Sequence, residues 1–154
     1  MRLDFGHNSN GISGILGIDH VGIAVYSITD GIDFYQRVFG CLVISREINL
    51  EQGIEEATLK MGDGQFQLFA PISEQSPVSR FLQKRGEGIQ QVALSVINIE
   101  ESCDEARALG ITVLYDKAKL GSSGSLINFL HASDCKGVLI ELVQNVPGKS
   151  KSKS

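Results

Sequence analysis

The chain has 154 residues, 42% of them hydrophobic and 21% charged, a composition that suits one folded domain large enough to bury a core. A net charge of −4 points away from a nucleic-acid partner, and no apolar run is long enough to span a membrane. Cys41, Cys103 and Cys135 are scattered and form no CxxC, so they read as reduced thiols rather than a disulfide framework or a zinc knuckle.

Residues 1–15, MRLDFGHNSNGISGI, never build the apolar stretch of a secretory signal and are expected to be a flexible extension. The expected compartment is the cytoplasm, or an organellar matrix if a leader was removed. A single domain is then expected over 16–146. It opens with a strand, IDHVGIAV, and an amphipathic helix whose Ile28, Ile32, Tyr35 and Phe39 share a face and which Gly40 ends. Three strands follow, CLVISREIN, GIEEATLKMG and GQFQLFAP, the last two joined by a hairpin at Gly62-Asp63-Gly64. These complete module one, 16–71. The linker, 72–87, carries a short helix over Val78 to Lys84 behind Pro77. Module two, 88–146, repeats the order: the strand IQQVALSV, then a helix with Ile99, Cys103, Ala106 and Leu109 on one face, stopped by Gly110. The strands ITVLYD, SLINFLH and GVLIELVQ close it. The tail, 147–154, holds three lysines at alternate positions and is expected to be disordered and solvated.

Each half therefore reads as β-α-β-β-β, an α+β fold of two paired βαβββ modules around a cleft. The repeat also selects residues. His20 matches Gln91, each at the start of an apolar strand, and Gln67 in FQLFAP matches Glu141 in IELVQN. Four polar side chains converging in a cleft make a metal-site geometry. Bland readings stand beside it: His20 as a hydrogen-bonded core histidine, Gln67 as a solvent-facing strand residue, Gln91 as a plain polar residue. Glu141, between Ile140 and Leu142, needs a partner on any reading. Alternation in GIEEATLK puts Glu56 with Thr58 and Lys60, on the side that pattern alone would leave to solvent.

The stretches IDHVGIAV, FYQRVFG, EQGIEEATL, QFQLFAP, FLQKRGEGI, YDKAKLGSSG, INFLH and KGVLIELVQ resemble the vicinal oxygen chelate (glyoxalase-like) superfamily, and within it the methylmalonyl-CoA epimerases. The resemblance spans about residues 17 to 145. It implies a metal site at His20, Gln67, Gln91 and Glu141, and a catalytic pair of Glu56 with Glu141. It further implies a substrate-lining turn at Gly121, Ser122, Ser123 and Gly124. Gln91 stands where the resembled epimerases carry histidine, which shifts the expected divalent ion (Co²⁺, Mn²⁺, Zn²⁺ or Mg²⁺) toward looser, oxygen-preferring binding. After that turn a basic residue is expected, and Leu126 stands there. The implied activity is epimerisation of an acyl-CoA α-carbon by two-base proton transfer, with a small acyl-CoA or carboxylate ligand and a homodimer as partners. The alternatives are a non-catalytic small-molecule binder and another lyase or isomerase of the superfamily with a relaxed metal site.

Overall fold

The computed structural model describes residues 10–147. Residues 1–9 of the expected extension and 148–154 of the expected tail lie outside the described residues.

Module one runs β1 (Ile15–Ala24), α1 (Ile28–Phe39), β2 (Leu42–Asn49), β3 (Ile54–Met61) and β4 (Gly64–Pro71). After α2 (Pro77–Arg85), module two runs β5 (Gly88–Val96), α3 (Ile99–Ala108), β6 (Lys119–Leu120), β7 (Leu126–Leu130) and β8 (Ile140–Gln144). The helices start where the sequence supplies caps. The side chains of Ser27, Ser76 and Asn98 accept from the backbone N–H of Asp30, Val78 and Glu101. Gly40 closes α1 in the left-handed region, at φ 66°.

All eight strands form one mixed sheet, in the order β2-β3-β4-β1-β5-β8-β7-β6, curled into a half-barrel. The order is the same read outward from the centre in each module. β1 and β5 join the modules antiparallel, and each pairs in parallel with the last strand of its own module, β4 or β8. One sheet face is packed by helices: Ile28 of α1 sits with Ile23, Ala57, Leu59 and Leu68, and Ile99, Cys103 and Ala106 of α3 sit with Val96, Leu130 and Leu142. Phe39, expected on the buried face of α1, is 52% exposed at the helix end. The other sheet face lines the cleft. The three cysteines are unpaired, and no helix among the described residues is long and apolar enough to cross a membrane.

ITVLYD departs from expectation. It lies along β7 but forms only an isolated bridge at Val113, and the strand that follows is just Lys119–Leu120. The reason is Asn128, whose side chain accepts from Tyr115 N–H at 3.1 Å and donates to Tyr115 C=O at 2.9 Å. A side-chain amide thus takes the bonds that would have extended the ladder.

Candidate functional site: a paired-carboxylate cleft

The four central strands, β4, β1, β5 and β8, each bring a repeat-matched polar side chain to the concave side of the sheet, that of β1 lining a cavity that adjoins the Glu56 cleft and shares Gln67 and Glu141 with it. These are Gln67, His20, Gln91 and Glu141, all buried. Small residues opposite make room. His20 stands across from Ala93 and Gln91 across from Gly22. A Cβ on Gly22 would come within 2.6 Å of both Gln91 Cγ and Phe69 Cε2, so only glycine lets Gln91 cross the sheet there.

β3 adds Glu56, which is 5% exposed. The alternation of GIEEATLK gives its direction correctly, since Ala57 and Leu59 lie on the helix-packed side. What alternation cannot tell is that the other side is a cleft rather than open solvent. The β3–β4 register runs without a bulge, so no local irregularity turns Glu56 inward.

The hydrogen bonds divide the site into two clusters. In one, Ser122 Oγ donates to Glu56 Oε1, while Gln67 Nε2 donates to Glu56 Oε2 at 3.2 Å and to Ser122 Oγ at 2.9 Å. In the other, Gln91 Nε2 donates to Glu141 Oε2, and His20 Nε2 lies 3.3 Å from that same oxygen. His20 Nδ1 meets Asp19 Oδ2 at 2.8 Å. Burial pushes the Glu56 carboxyl above its usual range, and the Ser122 hydroxyl opposes it by favouring the ionised form. For His20, burial pulls down, but the Asp19 hydrogen bond and the negative charge of Asp19 and Glu141 beside the ring outweigh it and lift the imidazole to about 9.

This chemistry bears on a divalent cation. His20 Nε2 sits within ion-pair reach of Glu141 but outside hydrogen-bond geometry, and it is a buried side-chain nitrogen without a hydrogen-bond partner. With Nδ1 engaged by a carboxylate, it is the nitrogen available for a metal. Among the described residues no three His, Cys, Asp or Glu side chains gather at one point. An ion would therefore rest on His20 and Glu141, with amide oxygens of Gln67 and Gln91 completing the set. Such a donor set fits a cation, and it favours oxygen-preferring ions more than a histidine-rich site would.

Of the expected substrate turn, Ser122 enters the Glu56 cluster and Gly121 lines the cleft, where a Cβ would meet Ile127 at 2.6 Å. Ser123, at φ 54°, turns to the rim and donates to Glu47 Oε1 at 3.1 Å. Gly124 shapes the turn at φ 76°. Leu126, at the position expected to be basic, does not bear on the cleft. Ile127 and Phe129 face in, so Leu126 shares the opposite side with Asn128 and Leu130. Apolar walls come from Phe69, Val78, Leu114, Ile127, Phe129 and Leu139. Sequence reasoning gave no role to Asn49, Gln52, Gln90 and Tyr115, which also line the cleft. Nor did it give one to Asp19. Gln90 precedes Gln91 as Asp19 precedes His20, and nothing in a strand pattern turns either of them toward its neighbour's side.

Comparison with known proteins places this cleft in a family. The family model of the glyoxalase/bleomycin resistance protein/dioxygenase superfamily matches residues 19–129. The chain belongs to that superfamily. The mitochondrial methylmalonyl-CoA epimerase of Mus musculus is 34% identical over 128 residues, covering 82% of this chain and 72% of the relative. A crystal structure of methylmalonyl-CoA epimerase from Mycobacterium tuberculosis superposes with a TM-score of 0.85 at 39% identity, covering 94% of this chain and 97% of the other. A methylmalonyl-CoA epimerase in complex with methylmalonyl-CoA and NH4+ superposes at 0.84 with 39% identity, covering 86% and 96%. The chain is an enzyme of their racemase and epimerase class.

Proposed function

We propose that the cleft inverts the α-carbon of methylmalonyl-CoA or a close acyl-CoA by two-base proton transfer between Glu56 and Glu141. The observation that carries this reading is the pair of buried carboxylates, reached from β3 and β8, in one apolar-walled cleft. Two bases suit an inversion, because the proton leaves one face of the carbon and returns on the other. One carboxylate takes the α-proton, and the C–H electron pair moves into the thioester carbonyl to give an enolate. The opposite carboxylic acid then delivers its proton to the carbon. Water resets the two protonation states.

Burial of Glu56 suits this role, since a base held above the usual carboxylate range is better matched to a weakly acidic C–H. Gln67 and Ser122 hold its carboxylate, and Gln91 holds that of Glu141. A divalent cation bound by His20, Glu141 and the two amides would supply positive charge beside the developing oxyanion. Phe69, Ile127 and Phe129 keep water from the enolate. Lys119, with Nζ 4.1 Å from the ring centroid of Tyr115 in the cleft wall and 3.9 Å from Glu51 Oε1, is the cation this reading assigns to a phosphate of the CoA moiety.

The test is deuterium wash-in: purified protein with Mn²⁺ or Co²⁺ should exchange the α-proton of methylmalonyl-CoA in D₂O and interconvert its epimers. Tight ligand binding with no exchange would overturn this reading in favour of a non-catalytic binder.

A further inference from the structure

Neighbouring residues on a strand point to opposite faces, so their side chains do not ordinarily meet. Asp19 and His20 are neighbours on β1, yet His20 Nδ1 lies 2.8 Å from Asp19 Oδ2 and both side chains are under a tenth exposed. The β1–β5 register explains it. Ile18 pairs with Leu94 and His20 with Ala93, so two steps on β1 match one on β5 and Asp19 is the extra residue of a bulge. The bulge turns Asp19 onto the side of His20. The other Asp19 oxygen, Oδ1, accepts from Asn145 Nδ2 at 3.0 Å, just past the end of the strand that carries Glu141.

The same device recurs in module two. Gly22 pairs with Gln91 and Ile23 with Ile89, which makes Gln90 the extra residue on β5 at the point matching Asp19. There the bulge brings Gln90 as well as Gln91 to the cleft wall. Both bulges fall at the residue before a central cleft side chain. Only in module one does the turned residue carry a carboxylate and a tether.

We propose that Asp19, turned by the β1 bulge and held by Asn145, is the positioning residue that fixes the His20 ring in the cleft. It keeps Nδ1 as a hydrogen-bond donor, which leaves Nε2 as the nitrogen presented to Glu141 and to whatever the cleft holds. Asn145 stops the Asp19 carboxylate from rotating away. The effect on catalysis rests on the epimerase reading; the orientation of the ring does not.

The experiment has two arms. In the first, NMR follows the His20 Nδ1–H, which a buried acceptor should shift downfield and protect from exchange. The signal should be present in the wild type and lost in Asp19→Ala. It should be displaced in Asp19→Asn, which offers the ring only a neutral amide oxygen, and partly recovered in the Asp19→Asn/Asn145→Asp double variant, where the carboxylate at 145 accepts from the amide at 19 and keeps that oxygen on the ring. In the second arm, kcat and KM for α-proton exchange are measured on the same proteins. Asp19→Asn should lower kcat by about tenfold or more with little change in KM, the scale on which loss of such supporting partners acts. The double variant should regain part of that loss.

A His20 Nδ1–H signal that survives Asp19→Ala would overturn the proposal, as would wild-type kcat in both Asp19 variants. If Asp19→Ala does not fold, Asn145→Ala loosens the tether alone; it should broaden the signal and reduce kcat less than Asp19→Asn does, and an unchanged signal would count against the proposal. A wild type without exchange would remove the epimerase reading, and the NMR arm would still decide the placement of the ring.

Discussion

The two modules share strand order, pairing and even the position of a bulge, yet they furnish opposite walls of the cleft with different chemistry. Register makes the comparison residue by residue. His20 matches Gln91, Gly22 matches Ala93, and Gln67 matches Glu141. Glu56, paired with Phe69, matches Ile127, paired with Val143. Module one thus brings the imidazole and the cleft acid of its third strand. Module two brings the acid of its last strand and, at Glu56's counterpart position, the apolar Ile127. A repeated strand order thus carries unlike side chains at matching positions, and the two acids come from different modules, which suits a reaction with one base on each side of a carbon.

The largest effect should come from removing either acid. Glu56→Gln and Glu141→Gln are each expected to cut epimerisation by roughly a hundredfold or more, measured as the rate at which one epimer is converted into the other, because each removes a positioned proton carrier. Breaking the small-residue relation between the modules should come next. Gly22→Ala would drive a methyl into Gln91 and Phe69. We expect a loss of about 1–3 kcal/mol in urea unfolding, the usual cost of overpacking, together with reduced activity.

A third substitution would make the modules more alike. Gln91→His restores an imidazole opposite His20 and should tighten Co²⁺ or Zn²⁺ binding by at least about tenfold in calorimetric titrations, with a smaller gain for Mg²⁺. His20→Ala in the same background should abolish the gain. Equal Co²⁺ affinity in wild type and a folded Gln91→His would place Gln91 outside any metal site.

The smallest effect concerns the turn that module two lays against module one. Ser122 favours the ionised form of Glu56 against the pull of burial. Ser122→Ala should therefore raise the Glu56 pKa further and move the acid limb of kcat/KM to higher pH. The stability sign follows from the same shift. A carboxyl raised in the folded state costs stability as pH climbs through its folded value, so the variant should lose more at neutral pH than at pH 4. A limb that stays put would mean Glu56 is not the titrating base.

Much of this was legible in the chain. The repeat and strand alternation found the βαβββ halves and brought His20, Gln67, Gln91 and Glu141 forward as a group, because alternation in four strands is read directly from polar residues set in apolar runs. Glu56 was half legible: its side of the strand follows from period two, while its burial depends on the curl of the sheet, a tertiary property. ITVLYD failed as a strand because one side chain, Asn128, outcompeted the ladder. Asp19 was invisible as a neighbour of His20, since a strand pattern assigns adjacent residues to opposite faces and a one-residue bulge leaves no mark in composition.

The central claim, one base on each side of the carbon, is tested most directly with each epimer of methylmalonyl-CoA supplied separately in D₂O. With Glu56→Gln, one epimer should still exchange its α-proton without inverting, while the other becomes inert. With Glu141→Gln, the inert and exchanging epimers should trade places, and neither variant should interconvert them. If both variants slow exchange of both epimers equally, or if one glutamate alone supports inversion, the two-base account is wrong.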